Sequence, residues 1–259
     1  MAQARAELAG VESEHPLDPL TAEELGRAAE IIRREAPLDD RALFEHIVLK
    51  EPSKSVVRSF GEGDVIERQA AAVIIDRNAG KIFEATVDLN AGKLTGWKHQ
   101  PGVQASITAE ECAELSAVVK KDAAFIEALK QRGLHNLDQV AVEAYAAANF
   151  LPPEEKHRRI SRAHCFFVES PGDNAHVRPI EGLVPVVDIN EMRVLRIEDF
   201  GAKPIPPDLG EYRADELECR APLAALDITQ PDGPDFVVKG HEVTWQNWRF
   251  RVGFTPKEG

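Results

Sequence analysis

The tetrapeptide T-A-E-E stands at Thr21 to Glu24 and returns at Thr108 to Glu111, each time heading a segment with helical apolar spacing. In both copies threonine occupies the N-cap and glutamate follows three residues on, the arrangement in which each side chain hydrogen-bonds the other's backbone N–H. Two orphan donors of the helix start are thereby satisfied, and two carboxylates face the positive end of the helix dipole. After the first copy, Leu25, Ala28, Ala29 and Ile32 mark one buried face, and Pro37 stops the pattern. After the second, Leu115, Val118, Val119, Ile126 and Leu129 read as the face of one helix, with Lys130 and Arg132 in its last turn and Gly133 at C′. Two helices with one apolar stripe each require two surfaces to bury them.

The strand signals that follow supply those surfaces in matching order. In the first unit, apolar or β-branched runs at Leu43 to Leu49, Ala70 to Ile75, Lys81 to Leu89 and Lys93 to Trp97 are separated by turn sequences such as DRNAG and NAG. In the second, Val140 to Tyr145, Ile160 to Val168, Leu183 to Ile189 and Arg193 to Ile197 answer them. The fold class expected is α+β: two units, over 15–103 and 104–202, each with one helix packed on a four-stranded antiparallel sheet. Lys203 to Gly210, KPIPPDLG, is a proline-rich connector. It leads into Trp248, Phe250, Val252 and Phe254, which alternate with polar residues or glycine at the period of a half-buried strand. Residues 203–259 therefore read as a linker followed by strands that carry large aromatics, and residues 1–14 as a disordered start.

Composition narrows the function classes. A chain of 259 residues that is 43% hydrophobic can bury a real core. Its net charge of −13 argues against nucleic-acid or anionic-membrane partners. The charged N-terminus offers no secretory apolar run, and no stretch approaches the length of a bilayer span, which together suggest a soluble cytoplasmic protein. The three cysteines, Cys112, Cys165 and Cys219, are scattered without a C-x-x-C pair, and the eight histidines form neither H-x-H nor H-E-x-x-H, so no metal site is expected. Ser170 in S-P-G-D-N is not a nucleophile elbow.

The segment I-T-Q-P-D-G-P-D-F, Ile228 to Phe236, followed by V-x-W-x-x-W-x-F-x-V-G-F, Val243 to Phe254, closely resembles the start of the catalytic β-sandwich of copper-containing primary amine oxidases. HPLDPLTAEEL and GLVPVVDINEMRVLRIEDFG resemble that family's two smaller amino-terminal domains, which would make the two units cystatin-like. The resemblance implies a homodimeric enzyme that oxidises a primary amine R–CH2–NH2 with O2 to aldehyde, ammonia and hydrogen peroxide. It implies copper held by three histidines, two of them in H-x-H, beside topaquinone made from the tyrosine of N-Y-[DE]; a peroxisomal address is possible in eukaryotic members.

This chain departs from that pattern. Its two tyrosines are Tyr145 in A-Y-A and Tyr212 in E-Y-R, and H-x-H is absent. The expectation is an amino-terminal portion that holds no catalytic, cofactor or metal residues, is inactive alone, and partners the missing catalytic domain of the same polypeptide. By resemblance, the second unit lends side chains to the mouth of the substrate channel, with Tyr145, His176 and Cys112 as candidates. The alternative is a free-standing two-unit binding protein.

Overall fold

The computed structural model describes residues 14–61, 63–147, 151–170, 172–208, 210, 218, 220–221 and 223–255; Tyr212, Cys219 and nearly all of the expected disordered start lie outside them. The chain divides into two compact units. One holds the residues up to Asp76, Lys81–Val103 and those from Ala225 onward; the other holds Arg77–Gly80 and Gln104–Ala224.

The first unit begins with α1, Ala22–Glu35, capped at Thr21 by the expected reciprocal pair of hydrogen bonds. Ala28, Ile31 and Ile32 are its buried residues; of the expected stripe, Leu25 and Ala29 are only half-buried, and Ile31 joins it. This face packs on an antiparallel meander of β1 Leu43–Leu49, β2 Gln69–Asp76, β3 Lys81–Asp88 and β4 Lys93–His99, in that spatial order. Ala70, Ala72 and Ile74 of β2 and Ala85 and Val87 of β3 complete the core. A short helix missed in the sequence, α2 Lys54–Ser59, lies between β1 and β2 and is capped by Ser53.

The same unit includes a second sheet, β10 Phe236–Lys239, β11 Glu242–Trp245 and β12 Trp248–Arg251. The strand expected to run from Trp248 to Phe254 thus ends at Arg251, and Gln246, with φ 54°, turns the chain between the two tryptophans. Register aligns Phe236, Trp245 and Trp248 in one row and Val238, Val243 and Phe250 in the next. Most of these side chains are exposed, Trp248 to 63%.

The second unit departs from expectation in two places. Its expected single helix is two: α3 Ala109–Val119 and α4 Ala123–Gln131. Asp122 supplies a new N-cap, accepting from the Phe125 N–H, and the restart rotates the stripe so that Phe125, Ala128 and Leu129 are buried while Ile126 is only half-buried. Gly133 takes the left-handed φ of 75° as expected at C′. Its N–H bonds the Lys130 carbonyl and the Leu134 N–H bonds the Leu129 carbonyl, a complete Schellman motif.

The expected second strand of this unit is also divided. β5 Val140–Glu143 pairs with β7 His164–Phe167, whereas β6 Ile160–Arg162 pairs with β8 Leu183–Asp188, which pairs with β9 Arg193–Asp199. The four-stranded sheet is therefore two ladders, of two and three strands. Pro185 explains the break: its carbonyl accepts from the Ala163 N–H, but it has no N–H to return to Ala163, and the ladder loses its next rung.

Both units share a clamp. In each, the capping-box glutamate also receives a largely buried arginine that sits immediately before a strand: Arg68 to Glu24 at 2.7 and 2.9 Å, and Arg159 to Glu111. Arg68 further donates to the carbonyls of Asp18 and Pro19, and Arg159 to those of Ala105 and Ser106, three and two residues before each N-cap. Glu111 is 0% exposed and Arg159 5%. Arg159→Met, which strands the Glu111 charge, is expected to cost about 3–5 kcal/mol in urea unfolding, against about 1 kcal/mol for Thr108→Ala; equal losses would deny the clamp its role.

A second pair sets a pH dependence. Two hydrogen bonds from the Arg132 guanidinium, at 2.6 and 2.9 Å, and one from the Gly201 N–H hold the Asp199 carboxyl at about 2, below its usual 3.8. Because the folded state lowers this value, its stabilisation is present above the unfolded pKa and is lost as pH falls from about 4 toward 2. Asp199→Asn is expected to flatten the fall in the urea midpoint across that window.

Candidate functional site

The outward face of β5 and β7 gathers the chemistry-bearing side chains of the second unit. Along β5, Val140 and Val142 enter the core, so Glu143 and then Tyr145 point to the opposite face. On β7 the core residues are Cys165 and Phe167, and His164 and Phe166 share the face with Glu143. Register sets Glu143 opposite His164.

His176 reaches the same face from a short 3-10 turn, Ala175–Val177. The segment around it is pinned to β7 by the Phe167 N–H on the Arg178 carbonyl and the Ile180 N–H on the Cys165 carbonyl. Arg178 also lies over the Phe167 ring and pairs with Glu169. These bonds hold the His176 ring edge-on to Phe166, centroids 5.1 Å apart.

Glu143 is the hub. His176 Nε2 lies 3.0 Å from both carboxylate oxygens, and the Tyr145 hydroxyl donates to Oε2 at 3.4 Å. The Tyr145 ring, 42% exposed, stacks on His164 with centroids 4.2 Å apart and planes 18° from parallel. Its backbone is fixed from both sides, its N–H on the Ser161 hydroxyl and its carbonyl on the Arg162 N–H.

Cys112, half-buried on α3, belongs to the same neighbourhood electrostatically. Burial pushes its thiol pKa above the ordinary value, and the carboxylates of Glu111 and Glu143 push it in the same direction. Cys165 is buried in the core and raised to about 12, chiefly by desolvation. Cys112 has no electropositive setting, and at Cys165 desolvation outweighs the opposing charge of Arg132, so neither is held as a reactive thiolate. Among the described residues no group of three His, Cys, Asp or Glu side chains is placed to hold a metal ion, and no helix is long and apolar enough to cross a membrane.

Comparison with known proteins decides the family. The family model described as copper amine oxidase, N2 domain, matches residues 15–100, and that described as copper amine oxidase, N3 domain, matches residues 110–215. This chain belongs to the copper amine oxidases. A primary amine oxidase from Arthrobacter sp. (strain P1) is 39% identical over 95% of the chain, and N-methylputrescine oxidase 1, peroxisomal, from Nicotiana tabacum is 32% identical over 95%. The chain spans only 38% and 36% of those two relatives. The crystal structure of a copper-containing benzylamine oxidase from Hansenula polymorpha shares the fold, with a TM-score of 0.77 over 95% of this chain and 41% of that one, at 23% identity.

Within the N3 region of this copper amine oxidase chain, Tyr145 and His176 meet through Glu143, which sequence reasoning passed over together with His164 and Phe166. The alternation in V-A-V-E-A-Y places Glu143 on the Tyr145 face; nothing local announces His164, whose position depends on strand register. Alkylation by iodoacetamide, followed by mass spectrometry, is expected to reach Cys112 well before Cys165. Glu143→Gln removes a nearby negative charge, lowers the Cys112 pKa and speeds its labelling at fixed pH. An unchanged rate would separate Cys112 from this face.

Proposed function

We propose that this chain is the amino-terminal part of a copper- and topaquinone-dependent primary-amine oxidase, its two units being the cystatin-like N2 and N3 domains. In this reading the face built on Glu143, Tyr145 and His176, with Cys112 as a further candidate, lines the mouth of the amine channel. The observation that carries it is the succession of the N2 and N3 matches over 15–100 and 110–215, together with the 38% of the Arthrobacter enzyme that the chain spans. The exposed rows of Phe236, Trp245 and Trp248 support it as well, since they offer one apolar face of a β-sandwich to further strands.

The whole enzyme would convert R–CH2–NH2 and O2 to aldehyde, ammonia and hydrogen peroxide, as a homodimer in the cytoplasm or a peroxisome. The described residues do not fit its cofactors: they contain no three-ligand cluster, and Tyr145 is engaged by His164 and Glu143. No step of the oxidation is therefore assigned to these side chains. Copper and the quinone belong, in this reading, to sequence outside the 259 residues. What the N3 face contributes is a fixed carboxylate and aromatic walls at the approach to the reacting centre.

Two measurements test the reading. The purified chain, incubated aerobically with Cu(II), is expected to develop no quinone absorption and to release no amine-dependent hydrogen peroxide; either signal would return the active site to this chain. Translation of the encoding frame beyond Gly259 is expected to reach N-Y-[DE] and H-x-H, and a stop codon there would favour the free-standing binding protein.

A further inference from the structure

We propose that the Glu143 carboxylate is a binding site for an alkylammonium group, which His176 occupies in the free chain. The charge pairing of the second unit points to it. Three of its arginines are taken by acids: Arg162 by Glu198, Arg178 by Glu169 and Arg196 by Glu155. Glu143 has, among the described residues, only the imidazole of His176 as an ion-pair partner. An imidazole is not the permanent cation that a guanidinium is, so this carboxylate lacks the counter-charge that Glu198, Glu169 and Glu155 have.

The setting suits an organic cation. The Glu143 side chain is 37% exposed and therefore open to a ligand, and that of His176 is exposed to 63%, so the imidazole can swing away at little packing cost. The stacked pair of Tyr145 and His164 stands beside the carboxylate, and the outer face of the tyrosine is available to the methylene stem and the positive head of an alkylammonium. Phe166, buried under His176, gives the floor an apolar surface. A carboxylate, an aromatic wall and a removable weak donor select a singly charged head on an aliphatic chain over an anion or a neutral polar group. The site is also rigid on two sides, because Tyr145 and the His176 segment are both fixed through their backbones.

The cation site rests on this geometry alone; its identification with substrate rests on the function proposed above. A channel residue far from the reacting carbon meets the tail of an amine rather than its reacting end, so the group Glu143 would hold is the remote ammonium of a diamine.

The site is tested on the chain itself by NMR titration with 1,4-diaminobutane, butylamine and the uncharged 1-butanol. Both amines are expected to shift the Tyr145, His164 and His176 ring resonances and 1-butanol to leave them unmoved. Glu143→Gln is expected to weaken amine binding at least about threefold and His176→Ala to tighten it about twofold, with the core resonances of Cys165 and Phe125 reporting an intact fold. Shifts of equal size with 1-butanol, or binding unchanged in Glu143→Gln, would overturn the cation site. In the whole oxidase, Glu143→Gln is expected to raise KM for 1,4-diaminobutane at least about threefold more than for butylamine. Amine binding on the chain without that difference in KM would keep the cation site and refute its place in the substrate channel.

Discussion

A buried guanidinium must find acceptors for five N–H donors, and this chain meets that requirement twice in the same way. Arg68 and Arg159 each give hydrogen bonds to the carboxylate of a capping box and to two carbonyls of the segment that leads into it. One side chain thus fixes the loop, the helix start and the strand that the arginine precedes. The strand is tied as well: the carbonyl of Arg68 accepts from the Leu89 N–H and that of Arg159 from the Ile189 N–H, both at 2.9 Å. Helix direction on the sheet follows, because the N-terminus is nailed above one strand end while the apolar stripe turns the rest onto the sheet face. A buried ion pair of this kind adds little net stability over an apolar substitute, but loss of one partner is costly, so its effect is to specify geometry.

The two hairpins that complete the units repeat this logic down to single residues. Asp88 stands opposite Lys93 and Asp188 opposite Arg193 in register; Asp88 accepts the Ala91 N–H, and Asp188 those of Asn190 and Glu191. A register shift precedes each aspartate, between Thr86 and Val87 and between Val186 and Val187. The last turn residue is left-handed in both, Gly92 with φ 65° and Met192 with φ 48°. Glycine takes that conformation freely; methionine accepts the strain, of about 1 kcal/mol, and gains packing against the core of its unit.

What could be read from the sequence was whatever the chain encodes locally. The capping boxes at Thr21 and Thr108, the C′ glycine at Gly133 and the strands between Asn, Asp and Gly turns all depend on neighbours within a few residues, and they stand where expected. The break at Asp122 is local too, but the apolar residues on either side happen to continue a helical spacing, and periodicity alone hid it. The split at Pro185 required knowing which residue that proline faces, a matter of register. Glu143 belongs to the same class: its alternation with Tyr145 is visible in the sequence, while its partners come from His164 and His176, brought there by strand pairing and by a loop pinned to β7. Tyr145, His176 and Cys112 were singled out by resemblance, and the meeting of Tyr145 and His176 on one carboxylate comes from the fold.

The aromatic sheet of β10, β11 and β12 shows how one polar anchor decides which face of a sheet is left open. Side chains alternate faces along a strand, so Arg251 and Glu242 lie on the side opposite Val243 and Phe250. Arg251 pairs with Asp18 and with Glu242, and Glu242 also takes Arg249 at 3.0 Å. Those ion pairs commit the polar side to the first unit, and a shift of register by one residue would trade them for tryptophan and phenylalanine. The rows of Phe236, Trp245 and Trp248 and of Val238, Val243 and Phe250 are therefore turned away from the anchor. An antiparallel sheet is stable with one wet face when that face is polar. Here the apolar face is exposed, as are Val237, Thr244 and Arg249 on the other face, so the ion pairs, rather than burial of the aromatics, hold the sheet where it is.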